Sequence, residues 1–141
     1  MRLNNLPVAY KLWGVVLGSM VSMLSLAFVL TWVAEHYHIG LLTNSMPGFV
    51  DALRATGKIP AIEFDVIVDS SDVGAMKPES RIYEVALEKA GYSGKEILFV
   101  DDLQANLAAS QRQFGWNTVW FDPYRPDISI ATIRQTLEAT D

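Results

Sequence analysis

The sequence predicts an α/β protein in which an apolar helix precedes a parallel sheet covered by helices on both faces. Three observations support this prediction. Residues 12–34 carry no charged side chain. After residue 37, short apolar runs alternate with segments of helical periodicity, as in βαβ units. Polar residues follow the apolar runs, at the carboxyl ends of strands, where parallel sheets bind their ligands.

The composition limits the classes of function. The 141 residues suit one domain with its own core, and the absence of cysteine excludes disulfides and thiolate metal sites. The net charge is −5, and all 16 acidic residues lie at or after Glu35. An acidic globular part predicts no nucleic-acid partner, because neutralising a phosphate backbone needs a basic face. A small phosphorylated substrate remains compatible, since a few donors and a cation can hold it.

The first segment, residues 1–36, is expected to be a cytoplasmic lead followed by a membrane helix. As a helix, residues 12–34 would be about 34 Å long, enough to cross a hydrocarbon core of roughly 30 Å. Trp13 and Trp32 lie near its ends, where interfacial aromatic residues are expected. Arg2 and Lys11 precede it, which favours a cytoplasmic N-terminus. The prediction is therefore a single-pass membrane protein, with a cytoplasmic location as the alternative.

Two other interpretations of the apolar segment stay open. It is compatible with a cleaved signal peptide, for which residues 25–27 offer a small-x-small cleavage site. It is also compatible with a buried helix of the globular domain, provided that the core covers all its faces.

The second segment, residues 37–141, is expected to form the globular domain. Three of the four expected helices are followed by glycine, at Gly57, Gly91 and Gly115, and one opens at Pro78; proline favours the first turn of a helix and glycine its end. The expected strands cover residues 39–43, 64–68, 97–100 and 118–121. The expected helices cover residues 47–56, 78–90, 103–114 and 128–137.

Three polar segments are candidates for a site. Thr43-Asn44 ends the first of these strands, Lys77 precedes a helix, and Asp101-Asp102 ends an apolar run. A hydroxyl and a lysine can hold a phosphoryl group, and paired carboxylates suit Mg²⁺. Each segment has a simpler interpretation: Thr43 forms a turn, Lys77 is a solvated surface lysine, or Asp102 caps the following helix. Their common order and spacing favour one shared site.

Residues 38–121 resemble the C-terminal part of a haloacid dehalogenase-superfamily hydrolase of the phosphatase type. The resemblance rests on segments 40–45, 74–78 and 98–102, together with Asn106. It implies a Rossmann-like core in which Thr43 and Asn44 bind the phosphoryl group of a small substrate. Lys77 would be a catalytic residue that stabilises developing charge, and Asp101 and Asp102 would hold Mg²⁺.

The chain departs from this family at its start. The family's first motif supplies an aspartate nucleophile and a second aspartate two residues later, but the first aspartate here is Asp51. The first-motif strand and the cap domain are therefore expected to be missing. An open sheet would favour self-association through its unpaired edges, and phosphoryl transfer would lack its acceptor.

Three functional hypotheses follow. The chain is a hydrolase fragment or fusion that is inactive alone, a membrane-tethered binding module without catalysis, or a joined reading frame without evolved function. The third is motivated by residues 5–14, which resemble the opening of bacterial methyl-accepting chemotaxis receptors, a resemblance that covers about the first 30 residues.

Overall fold

The computed structural model describes residues 11–13, 20–59 and 61–139. Strands and helices alternate through most of this range, as the sequence predicts. A 3₁₀ turn, Gly94–Glu96, lies between the fourth helix and the fourth strand. In chain order the other elements are β1 (Lys11–Trp13), α1 (Met20–His36), β2 (His38–Thr43), α2 (Phe49–Ala55), β3 (Val66–Asp69), α3 (Ser70–Val73), α4 (Ser80–Ala90), β4 (Ile97–Asp101), α5 (Gln104–Phe114), β5 (Asn117–Trp120) and α6 (Pro126–Glu138).

The predicted strands and helices after residue 37 are confirmed to within a few residues. α4 and α5 end at Gly91 and Gly115, which adopt the left-handed φ values of 70° and 68°. Glycine adopts this conformation without a Cβ penalty, and so it ends helices readily. The prediction for Pro78 is off by two positions, because α4 begins only at Ser80.

The strands form one five-stranded parallel sheet in the order β3-β2-β1-β4-β5. β1 lies at its centre, where Leu12 is in register with Ile39 of β2 and Leu98 of β4. The prediction that the sheet lacks its central strand is therefore wrong. Strand pairing uses backbone groups, so β1 occupies the central position although it carries no aspartate. Both inner edges are paired, so the argument for self-association through them no longer holds.

Two apolar layers cover the sheet. α1 and α6 pack on one face and contact each other, and α4 and α5 pack on the opposite face. Trp32 of α1 lies under the Arg134 guanidinium of α6, with 4.7 Å between the guanidinium carbon and the ring centroid. The second face carries an aromatic cluster in which Tyr83, Phe99 and Trp116 meet edge to face. These layers fix the sheet whose carboxyl edge carries the candidate site.

The apolar N-terminal segment does not form the expected helix over residues 12–34. Leu12 belongs to β1, and α1 begins at Met20 and has 17 residues. Val29, Leu30 and Val33 are at most 2% exposed and belong to the core shared with β2 and α6. For this part of α1, the structure agrees with the buried-helix alternative.

Over the described ranges, no helix is both long and apolar enough to cross a membrane. The membrane location and the domain boundary at residue 36 stay predictions from the sequence.

Candidate active site

The carboxyl edge of the sheet brings the predicted polar segments together. β2 ends at Thr43, and β4 ends at Asp101. Lys77, although it lies in the loop before α4, reaches both strands: its Nζ donates to the Leu42 carbonyl at 3.1 Å and to Asp101 Oδ2 at 2.6 Å. Parallel strands end at one edge, which explains why residues far apart in sequence converge here.

The Lys77–Asp101 ion pair is buried. The two side chains are 8% and 4% exposed, and the Lys77 Nζ lies 5.6 Å from the centroid of the Phe99 ring. Removal from water strengthens the attraction between the charges but also makes each charge costly without its partner. The interpretation of Lys77 as a solvated surface lysine is therefore wrong.

Asp101 also organises the backbone that follows β4. Its Oδ1 accepts from the Leu103 N–H at 2.8 Å and from Asn106 Nδ2 at 3.1 Å. Capping of the next helix by Asp102 is one of the simpler interpretations of the sequence. In the structure α5 begins at its N-cap residue Leu103 without a side-chain capping bond, and the carboxylate that binds the Leu103 N–H is that of Asp101. One carboxylate thus fixes both the lysine and the start of α5.

Asn44 holds the loop that carries Lys77. Its Oδ1 accepts from the Lys77 N–H at 2.8 Å, and its Nδ2 donates to the Lys77 carbonyl at 3.0 Å. This two-point contact uses both ends of the amide group. In this geometry Asn44 is a positioning residue for Lys77, and its predicted contact with a phosphoryl group stays a prediction.

Asp69 is a polar residue at this edge that the sequence interpretation missed. It ends β3, is 6% exposed and is in register with Thr43. Its carboxylate accepts from Ser45 Oγ at 2.5 Å and from the Ser71 N–H at 2.9 Å. The sequence signal was present, since an aspartate follows the apolar residues 66–68 just as Asp101 follows residues 97–100.

Asp102 is an exposed residue next to this buried pair. Desolvation by its surroundings, followed by the negative charge of Asp101, raises the pKa of its carboxyl above the ordinary value. Its backbone carbonyl accepts from Trp120 Nε1 at 2.8 Å, which fixes the main chain at this position. The carboxylate of Asp102 is therefore held close to another negative charge.

Tyr83 supports the site from behind. Its hydroxyl donates to the Asn106 carbonyl at 3.0 Å, and its ring packs against Phe99. Burial, with a further contribution from the Asp101 charge, raises the pKa of the hydroxyl well above its usual range. Tyr83 therefore remains a neutral donor that fixes Asn106.

Replacing Asp102 with asparagine is expected to raise the thermal unfolding midpoint at pH 7 but not at pH 3. A folded-state pKa above the unfolded value means that the ionised form opposes folding. This cost is absent below the ordinary pKa of about 3.9 and is complete above the raised one. Differential scanning calorimetry of the native chain and of Asp102→Asn at both pH values measures this difference in unfolding midpoint. A midpoint that falls at pH 7 in the variant would contradict this electrostatic assignment.

Two curated proteins with known activities are similar to the chain. The chain is 28% identical to the (S)-2-haloacid dehalogenase of Pseudomonas sp. strain YL over 109 residues, 71% of this chain and 46% of that protein. It is 27% identical to the phosphoserine phosphatase of Thermus thermophilus over 109 residues, 72% of this chain and 43% of that protein. The chain thus spans less than half the length of either relative.

One solved structure shows the same fold. It is a haloacid dehalogenase-family enzyme of Bacteroides thetaiotaomicron, in complex with magnesium and inorganic phosphate. The TM-score is 0.61 at 24% identity, and the match covers 71% of this chain and 52% of that one.

The sequence profile of the haloacid dehalogenase-like hydrolases matches residues 25–112. This range is more than half of the chain, and it contains β2, β3 and β4 with Lys77 and Asp101. The chain belongs to the haloacid dehalogenase-like hydrolase family.

Proposed function

We infer that the chain is a phosphatase-type module that binds a small phosphorylated ligand together with Mg²⁺ and does not hydrolyse it alone. The observation that carries this proposal is the buried Lys77–Asp101 pair at the carboxyl edge, 2.6 Å between Nζ and Oδ2. Such a pair holds a cationic group in a fixed position, which is what stabilises an anionic ligand without reorganisation.

Lys77 can still donate a hydrogen bond to a ligand. Its ammonium has three N–H donors, and the Leu42 carbonyl and Asp101 account for two of them. The third is available to a phosphoryl oxygen. Thr43 ends β2, directly after Leu42, and offers a hydroxyl to the same ligand. Charge-assisted hydrogen bonds of this kind are roughly twice as strong as neutral ones.

The charge balance favours a divalent cation. Lys77, Asp69, Asp101 and Asp102 sum to two negative charges, which repel phosphate. Mg²⁺ offsets these charges and takes one or two carboxylates together with water and phosphate oxygens. Within the described residues, no three His, Cys, Asp or Glu side chains form a group that could hold a metal. Asp101 and Asp102 offer two carboxylates, so Mg²⁺ held there would take its remaining ligands from phosphate and water.

The acceptor for phosphoryl transfer is the part that the proposal leaves out. Glu35 is the only acidic residue among the first 50. It lies at the end of α1, before β2 begins at His38, and so at the amino edge of the sheet, opposite Lys77. Asp69 lies at the same edge as Lys77, but its carboxylate already accepts from Ser45 Oγ and from the Ser71 N–H. Covalent transfer needs a free nucleophile in line with the phosphorus, so no turnover is expected.

Calorimetry and a hydrolysis assay test the proposal together. Inorganic phosphate is expected to bind in the presence of Mg²⁺, and p-nitrophenyl phosphate is expected not to be hydrolysed. Thr43→Val removes one hydroxyl donor and should weaken phosphate binding by about tenfold, which is about 1.4 kcal/mol.

Thr118→Val is the matched control, because Thr118 is also a half-buried strand residue but lies towards the amino end of β5. It should bind phosphate as the native chain does. Absence of phosphate binding would overturn the binding proposal. If the native chain hydrolyses p-nitrophenyl phosphate and Asp101→Ala abolishes this hydrolysis, the proposed inactivity is overturned.

A further inference from the structure

A cleft opens between the segment that follows β2 and the segment that precedes α4. It consists of two adjoining cavities of about 340 and 430 Å³. Both are lined by Ser45, Met46, Ser70 and Met76. Each volume lies in the range of sites for small organic ligands, about 300–1,000 Å³.

The polar groups of this cleft are already paired with one another. Ser70 Oγ accepts from the Ser45 N–H at 3.0 Å and donates to the Ser45 carbonyl at 3.2 Å. Ser45 Oγ donates to Asp69. These bonds use the hydroxyl hydrogens of Ser45 and Ser70, so neither hydroxyl has a donor left for a polar occupant.

The remaining wall is apolar. Met46 is 72% exposed, Met76 is 53% exposed, and Phe49 lines the cavity of about 340 Å³. Methionine side chains are flexible and polarizable, so they adapt to apolar ligands of irregular shape. Glu79 lines the cavity of about 430 Å³, where it accepts from the Met76 N–H at 3.0 Å. Its carboxylate disfavours a second anionic group on the ligand.

The cleft adjoins the segment that carries Lys77. Asn44 lines the cavity of about 340 Å³ and holds the backbone of Lys77 at both its N–H and its carbonyl. Met76, the residue before Lys77, lines both cavities. The cleft therefore neighbours the lysine that the proposed function assigns to the phosphoryl group.

We propose that this cleft binds the apolar body of a phosphate monoester, an aryl or short alkyl group, while the phosphoryl group contacts Lys77 and Thr43. This inference rests on the proposed function and adds the substrate class. The distribution of exposed apolar residues supports it. Besides Met46 and Met76, Leu103, Trp120 and Tyr124 are exposed and lie in segments at the carboxyl edge.

Binding of two phosphonates that differ only in their organic group tests the inference. Phenylphosphonate and methylphosphonate are titrated into the full chain with Mg²⁺ by calorimetry. Burying the ring is expected to make phenylphosphonate bind about tenfold more tightly, because each Å² of apolar surface removed from water contributes about 25 cal/mol. Met76→Gln and, as a second variant, Met46→Gln should each reduce this preference to less than about threefold, because a polar wall lowers the gain from burying the ring.

Ile128→Gln is the matched control, because Ile128 is 53% exposed like Met76 but lies on α6. It should keep the tenfold preference. Equal binding of both phosphonates by the native chain would overturn the substrate class and leave the proposed function standing. Failure of both phosphonates to bind would overturn the proposed function and this inference with it.

Discussion

Replacing Lys77 with methionine is expected to lower the free energy of unfolding by about 3–5 kcal/mol, the cost of leaving a buried charge without its partner. Asp101 is only 4% exposed, and Lys77 is the cation that it contacts, at 2.6 Å. Methionine keeps the length and packing of the lysine stem, so the change isolates the charge. Urea-induced unfolding, followed by tryptophan fluorescence, measures the difference.

A double variant separates the charge effect from general disruption. In Lys77→Met/Asp101→Asn both charges are removed, and the asparagine oxygen can still accept from the Leu103 N–H that Asp101 binds at 2.8 Å. The double variant should therefore be more stable than Lys77→Met alone. Lys89→Met, an exposed position of α4, should change stability by less than about 0.5 kcal/mol. A loss below about 1 kcal/mol for Lys77→Met would identify the pair as an ordinary surface ion pair.

Replacing Val33 with aspartate is expected to unfold the domain or to cost several kcal/mol, roughly the effective penalty of burying one ion. Val33 is 0% exposed and lies in the core that α1 shares with α6. The matched substitution Phe28→Asp is on the same helix, but Phe28 is 73% exposed. It should leave the unfolding free energy within about 1 kcal/mol of the native value, because its carboxylate stays in water.

Circular dichroism and urea unfolding of the two aspartate variants check this prediction. The comparison tests the packing of α1 directly, since the two changes introduce the same charge into the same helix. Equal effects of Val33→Asp and Phe28→Asp would contradict the burial of one helix face. Such a result would favour a helix whose surroundings are uniform.

The globular elements could be predicted because their signals are local. Apolar runs at residues 39–42 and 97–100 are bounded by polar residues, and both are buried strands in the sheet. The convergence of Thr43 and Asp101 followed from the topology, because parallel strands end at one edge, whereas Lys77 was assigned to the same site from the order and spacing of the segments and from the family resemblance. The two-point contact of Asn44 with Lys77 could not be predicted from the sequence. It depends on how two loops, 33 residues apart in the chain, are placed in the fold.

The N-terminal segment shows the limit of local signals, because the absence of charge over residues 12–34 does not fix where a helix begins. The structure places Leu12 in β1 and begins α1 at Met20. β1 was missed for a related reason. The strand is three residues long, Lys11–Trp13, and these residues carry no alternating pattern. Its conformation therefore depends on pairing with β2 and β4. Such a strand is specified by its neighbours and not by its own sequence.

The most direct measurement of the central claim is a phosphate titration of the ¹⁵N-labelled chain in Mg²⁺, followed by two-dimensional NMR. If phosphate binds at the carboxyl edge beside the Lys77–Asp101 pair, the backbone amide resonances of Thr43, Asn44 and Leu103 should shift together and saturate. The amides of Gly94 and Asn117, at the amino edge, should not move. Shifts confined to Gly94 and Asn117, or no saturable shift anywhere, would contradict the assignment of this edge as the phosphate site.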